Sequence, residues 1–173
     1  LLLTDARRPA RTDATGALVR LADQDRSRWD LALLAEGVSI AQACLRRGRP
    51  GPYQVQAAIA AVHASAATAA ETDWGRIVAL YDSLLAVAPS PVAAMNRAIA
   101  VGEQDGPAAA LDLLDGLAGR LDGYHLLHAA RGDALDRLGR ADDAAEAFGR
   151  ALELTANDAE REHLRHRRDQ ALG

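Results

Sequence analysis

The sequence has no lysine, one cysteine and few aromatic residues. Arginine supplies all 20 of the basic side chains, Cys44 is the one thiol, and aromatic residues make up 3% of the chain. A single cysteine excludes a disulfide framework. An excess of basic charge is missing as well, because the net charge is −4. This argues against a free-standing nucleic-acid binder, which needs a basic surface to displace counterions from phosphates.

Long apolar runs are also missing. The longest stretch without a formal charge, from Pro50 to Ala70, contains prolines, glutamines and a histidine and is otherwise rich in alanine. It is too weakly apolar to cross a bilayer, and the three leucines that open the chain are too few for a signal-peptide core. We therefore expect a cytoplasmic protein that does not bind membranes. Since the first residue is leucine, we also expect the chain to be part of a longer protein.

The residue that dominates the sequence is alanine. Hydrophobic residues make up 49% of the chain, which is too many for a disordered protein. Alanine accompanied by few β-branched residues favours helices, and no segment alternates apolar and polar residues over enough positions to predict a sheet. The composition therefore predicts an all-α fold in which alanine faces let neighbouring helices approach closely.

Breaks in the pattern predict about eight helices. The first 24 residues or so are expected to form an irregular lead-in or a short hairpin. The first helix is expected to begin near Asp23 or Asp25, to carry Trp29 and Ile40 on one face, and to end at Arg46–Gly48. The later helices are expected to begin at Pro52, Trp74, Pro91 or Val92, Pro107, Tyr124, after Gly139 and after an Asn157–Asp158 cap. The joining turns are short, so neighbouring helices should be antiparallel.

The residues around Gly139 match the helix–turn–helix of a tetratricopeptide (TPR) repeat. Small residues stand where two helices would cross, and a large residue stands where it would fill the space between repeats. These positions are Gly132, Leu135, Ala144, Phe148 and Ala151. Two residues depart from the pattern, since His128 stands where tryptophan is usual and Ala156 where proline is usual.

The repeat also predicts how the chain is organised. Equivalent residues recur 34 residues earlier, at Ala98, Ala110 and Leu114. This offset equals the length of one TPR repeat. We expect antiparallel helical hairpins stacked as a TPR-like right-handed superhelix with a concave groove. Residues 1–72 would form the lead-in and two helices, residues 73–157 the repeats and residues 158–173 a capping helix, all within one compact domain.

The sequence contains no constellation typical of catalysis or metal binding. His125 and His128 share a helix face, but the other histidines lie on other predicted helices and Cys44 has no nearby partner, whereas zinc needs three or four convergent ligands. There is no glycine-rich phosphate loop after a strand and no nucleophile elbow. We therefore expect no enzyme, no cofactor and no metal.

Two segments, residues 4–11 and 23–30, are dense in arginine and aspartate and include a tryptophan. Arginine pairs with carboxylates in a planar, bidentate geometry, and tryptophan and arginine dominate the energetics of interfaces. The segments therefore predict either an internal ion-pair network or a partner surface. The candidate interaction residues here are Asp5, Arg7, Arg8, Arg11, Asp23, Gln24, Asp25, Arg26, Trp29 and Asp30.

Five runs resemble the C-terminal extension of one group of extracytoplasmic-function sigma factors. They are LLTDARRPAR at 2–11, DQDRSRWD at 23–30, GRPGPYQ at 48–54, QAAIAAVH at 56–63 and GYHLLHAAR at 123–131. In that group a TPR-like domain follows the promoter-reading sigma domains. The last run adds Tyr124, His125 and Arg131 to the candidate interaction residues.

This resemblance implies a role in transcription initiation. The chain would be a C-terminal regulatory domain that contacts the sigma domains of its own polypeptide or RNA polymerase. The DNA-reading and polymerase-binding domains are absent from the sequence, so neither activity is assigned to a residue, and direct nucleic-acid binding is not expected. A stand-alone TPR-type scaffold that binds a separate protein or peptide is the alternative, and an enzyme or metal-binding protein is the third.

Overall fold

The computed structural model describes residues 2–14, 16, 18–19, 21–48 and 51–173. Helices dominate throughout these residues. Their one β contact is an isolated antiparallel bridge between Thr12 and Leu18. The lead-in was expected to be irregular or a short hairpin, and its described residues combine this bridge with short helical turns. The structure confirms the all-α fold.

Ten α-helices are present in the described part of the chain, of which α1 and α7 are single turns of four residues. The other eight correspond to the eight predicted helices. The ten are α1 (Leu2–Asp5), α2 (Leu31–Arg46), α3 (Pro52–Ser65), α4 (Trp74–Val87), α5 (Pro91–Asp105), α6 (Pro107–Asp115), α7 (Ala118–Leu121), α8 (His125–Arg137), α9 (Ala141–Leu154) and α10 (Asp158–Ala171). Short 3₁₀ turns lie at Arg8–Ala10, Leu21–Asp23 and Arg26–Arg28.

The first long helix begins later than predicted. The prediction of a start near Asp23 or Asp25 was wrong, because Asp25 caps a 3₁₀ turn and Asp30 caps α2 by accepting hydrogen bonds from the backbone N–H groups of its first turn. Between the two caps Trp29 is extended, with ψ at 143°. Trp29 therefore does not share a helix face with Ile40, whose side chain is 50% exposed.

The contacts divide the chain into two compact units, Leu1–Pro89 and Ser90–Gly173. In the first unit α1 packs on α2 and α3, and α3 packs on α4. The boundary predicted at residue 72 thus falls inside this unit. The core of the unit contains Leu3, Ala6, Ala10, Trp29, Leu34, Ala41 and Ala61.

In the second unit α5 packs on α6, α6 on α8, α8 on α9 and α9 on α10. Short turns join these helices, which form the helical hairpins that the sequence predicted. The residues at the TPR positions are buried, including Gly132, Leu135, Ala144, Phe148 and Ala151. Their counterparts 34 residues earlier, Ala98, Ala110 and Leu114, are buried as well.

The contact between Gly132 and Phe148 explains the small residue in this hairpin. A Cβ atom on Gly132 would lie 2.7 Å from Cε1 of the Phe148 ring, closer than real Cβ contacts come. His128, in the position where the TPR pattern has tryptophan, is buried and donates a hydrogen bond of 2.7 Å from Nε2 to the carbonyl oxygen of Asp122. A buried polar ring is stable there because its nitrogen has a partner.

Candidate interaction surfaces

Residues 4–11 and 23–30, here called the lead-in cluster, lie together in the first unit. The 3₁₀ turn at Arg8–Ala10 packs against the turn at Arg26–Arg28. The backbone N–H of Asp30 donates to the carbonyl oxygen of Ala6 at 3.0 Å. The two segments that the sequence singled out therefore form one feature of the molecule.

Arg26 and Trp29 anchor the lead-in cluster to α3. Nη1 of Arg26 donates to the carbonyl oxygen of His63 at 3.0 Å and also to that of Ala66. These carbonyls lie at the C-terminal end of α3, where the helix dipole favours a cation. The Arg26 guanidinium lies 4.7 Å from the centroid of the Trp29 ring, and Trp29 is 5% exposed. Both side chains thus serve the internal packing of the unit.

The carboxylates of the lead-in cluster mostly hold local structure. Asp25 accepts hydrogen bonds from the backbone N–H and the hydroxyl of Ser27, which lower the pKa of its carboxyl. Asp30 caps α2. Asp5 pairs with Arg8 at 2.7 Å on the surface, where such a pair contributes little to stability. Asp23 is exposed.

The remaining polar residues of the cluster have fewer partners. Arg7 is half-buried, and burial together with the charges of Arg11 and Arg26 lowers its pKa. Arg11 donates to the carbonyl oxygen of Thr4 at 3.1 Å. Nε2 of Gln24 donates to a backbone carbonyl at 3.1 Å, while Oε1 of Gln24 and Nε1 of Trp29 are buried and find no partner among the described residues.

His63 belongs to this site, although sequence reasoning did not select it. Its ring packs edge-on against Trp74, with centroids 5.2 Å apart. Burial and the positive charges of Arg7 and Arg26 lower the pKa of His63 to about 4. The only sequence signal was its position at the end of the run at 56–63. His63 is far along the chain from the lead-in, so no spacing pattern links the two.

The candidate residues of the second unit lie in two surroundings. The rings of Tyr124 and His125 contact each other at 5.5 Å, and Nε2 of His125 lies 3.0 Å from Oε2 of Glu160 in α10. Arg131 donates from Nε to the carboxylate of Asp115 at 2.7 Å, which links α8 to the end of α6. Arg131 and Asp115 also line a cavity of about 290 Å³ whose charged side chains largely pair with one another.

A second concavity of about 240 Å³, here called the α5/α8 groove, lies between α5 and α8. Its floor is apolar, and its walls include Ile99 and Leu126, which are 38% and 40% exposed. Asn96, whose side chain is half-buried, also lines the groove. At its edge Arg137 donates to the carboxylate of Glu103 at 2.7 Å. The groove therefore offers apolar surface bordered by charge.

The described residues contain no group of three or more histidine, cysteine, aspartate or glutamate side chains placed to hold a metal ion. Cys44 is a free, half-buried thiol. Among the helices of the described residues, none has both the length and the apolar character needed to cross a membrane.

The chain is similar to a family model, to a curated protein and to a solved structure. The model of DUF6596, described as a family of unknown function, matches residues 1–45, a range that contains the lead-in cluster. An uncharacterized protein of Rhizobium meliloti (strain 1021) is 46% identical over 169 residues, which are 98% of this chain and 40% of that protein. The structure of MamA 41-end from Desulfovibrio magneticus RS-1 has a TM-score of 0.48 at 16% identity, covering 80% of this chain and 93% of that one. The chain thus spans about two fifths of the length of the curated relative it matches.

Proposed function

We propose that this chain is the C-terminal regulatory and protein-interaction domain of an extracytoplasmic-function sigma factor. It would modulate transcription initiation through contacts with the sigma domains of its own polypeptide or with RNA polymerase. The proposal draws on the five sequence runs that resemble such extensions. It is also compatible with the relative from Rhizobium meliloti, in which the matching segment makes up 40% of a longer chain.

The observation that carries a protein-interaction role is the α5/α8 groove. Ile99 and Leu126 expose apolar surface on its walls, and burying such surface against a partner is favourable by about 25 cal/mol per Å². Stacked helical hairpins commonly present a concave surface of this kind to a peptide or a partner domain. The groove would therefore receive an apolar segment of the sigma domains or of the polymerase.

Promoter-specific transcription by the full-length protein tests the regulatory role. Deleting residues 1–173 from that protein should change transcription, and unchanged transcription would contradict the proposal. Ile99→Asp combined with Leu126→Asp should reproduce much of the effect. Leu113→Asp is the matched control, because Leu113 is 39% exposed in the same unit and does not line the groove.

A stand-alone scaffold that binds a separate protein or peptide would use the same groove. A pull-down with the 173-residue chain separates the two functions. Capture of the sigma domains alone favours the sigma-factor domain, whereas a separate protein captured at equal stoichiometry, and lost with Ile99→Asp and Leu126→Asp, favours the scaffold.

A further inference from the structure

Three arginines of the lead-in cluster lie on its two packed turns. Among the described residues, Arg7 and Arg11 have no carboxylate partner, whereas the charge of Glu71 acts on Arg26. Arg7 and Arg11 flank the 3₁₀ turn at Arg8–Ala10, and Arg26 opens the turn that packs against it. Within the part of the chain that the structure describes, the guanidinium groups of Arg11 and Arg26 hydrogen bond to carbonyl oxygens. Arg7 donates no hydrogen bond to the described residues. By contrast, the neighbouring Arg8 is paired with Asp5.

The electrostatics of this arrangement favour an incoming anion. Arg7 is half-buried, where charges interact more strongly than in bulk water. Burial and then repulsion by its described neighbours Arg11 and Arg26 lower the pKa of Arg7. A negative group bound at Arg7 would relieve this repulsion and would use the unpaired donors of the guanidinium fork.

We infer that Arg7, with Arg11 and Arg26, forms a binding site for a carboxylate side chain presented by an acidic protein segment. The inference extends the proposed role in protein contacts, on which it rests, by naming the chemistry of the partner. A carboxylate fits one guanidinium fork in a bidentate geometry. A nucleic-acid backbone fits less well, because the site offers one half-buried guanidinium rather than the extended basic surface that a row of phosphates needs.

Titration calorimetry of the 173-residue chain with a capped hexaglutamate peptide at low ionic strength tests the site. We expect saturable binding that weakens by at least about tenfold in Arg7→Gln, because the guanidinium fork is lost. Arg8→Gln is the matched control, since Arg8 is adjacent, exposed and already paired, and its affinity should stay within about twofold of the parent. Absent binding, or equal losses in the two variants, would overturn the inference.

A second variant and two competing probes keep the result interpretable. If circular dichroism shows that Arg7→Gln does not fold, Arg11→Gln replaces it, and an affinity within about twofold of the parent then counts against the site. Inorganic phosphate and hexathymidylate serve as competing probes, and either one binding more tightly than hexaglutamate would overturn the assignment to carboxylates. Because no sigma domains are present in this experiment, its failure is distinguishable from failure of the transcription test.

Discussion

Gly132 and Gly149 lie in the two helices of one hairpin, α8 and α9, yet their surroundings differ. A Cβ on Gly132 would collide with the Phe148 ring, whereas a Cβ on Gly149 would meet no atom within 4 Å. We expect Gly132→Ala to lower the free energy of unfolding by about 1–3 kcal/mol through overpacking. Gly149→Ala should raise it by up to about 1 kcal/mol, because alanine is the better helix former. Urea unfolding followed by circular dichroism measures both, and changes of the same sign would contradict the packing described.

Phe148 is 1% exposed and fills the core of the second unit. Phe148→Ala should therefore lower the free energy of unfolding by about 3–5 kcal/mol. Tyr53→Ala is the control, because this aromatic side chain is 82% exposed and its loss should change stability by less than about 1 kcal/mol. A loss below about 1 kcal/mol for Phe148→Ala, as small as that expected for the exposed Tyr53, would mean that the assigned repeat register is incorrect.

His63 should make the stability of the first unit depend on pH. Its pKa is about 4 in the folded protein against 6.5 ordinarily, so between these values the unfolded state binds more protons than the folded state. The free energy of unfolding should fall as the pH is lowered from 6.5 to 4, by about 1–2 kcal/mol after solvent screening of the partly exposed ring.

Urea unfolding followed by tryptophan fluorescence measures this pH dependence, since both tryptophans lie in the first unit. His63→Gln removes the titrating group and should flatten the dependence across the same pH range. A slope unchanged by the substitution would show that other groups cause it.

At the scale of elements, the start of α2 is set by one side chain. Asp30 accepts hydrogen bonds of 3.0 Å from the backbone N–H groups of Ala32 and Leu33. Asp30→Ala should lower the free energy of unfolding of the first unit by about 0.5–2 kcal/mol. Glu36→Ala removes the same charge from the exposed face of the same helix and should change it by less than about 0.5 kcal/mol. Equal effects would argue that charge, rather than capping, is responsible.

Most helix starts followed from local chemistry. Proline at Pro52, Pro91 and Pro107 occupies a first helical position, where a missing N–H is harmless. Asp73 caps α4, and Asn157 caps α10 as expected. The start of α2 was mispredicted because three aspartates, at 23, 25 and 30, could all serve as caps. The choice among them depends on how the lead-in packs on Trp29 and α3, which no local pattern contains.

At the scale of the whole molecule, the second unit should fold by itself. Among the described residues, its buried core runs from Met95 to Leu164, and Ala94 and Ala171 pack against it. Ser90, the first residue of the unit, caps α5. A fragment of residues 90–173 should be helical by circular dichroism and should unfold cooperatively, because it contains a complete core. Phe148→Ala should destabilise the fragment as much as the full chain. A fragment without helical signal or without a cooperative transition would contradict this expectation.

The sequence predicted which residues form the candidate site but not how their side chains are arranged. Residue types identified the lead-in cluster, and its two segments do pack together. Whether each arginine and aspartate was paired internally or left for a partner could not be read from spacing, because the deciding contacts join distant parts of the chain. Arg26, for example, donates to carbonyl groups 37 and 40 residues away.

The sequence by itself determined the helical class, the positions of most turns and the small residues at helix crossings, because caps, prolines and helical periodicity act within a few residues of one another. Only the tertiary structure decided that Trp29 belongs to a core, that His63 stays neutral near two arginines, and that Arg7 has no carboxylate partner among the described residues. Burial and electrostatic environment depend on which distant segments pack together, and that choice reflects the free energy of the folded unit rather than any local pattern.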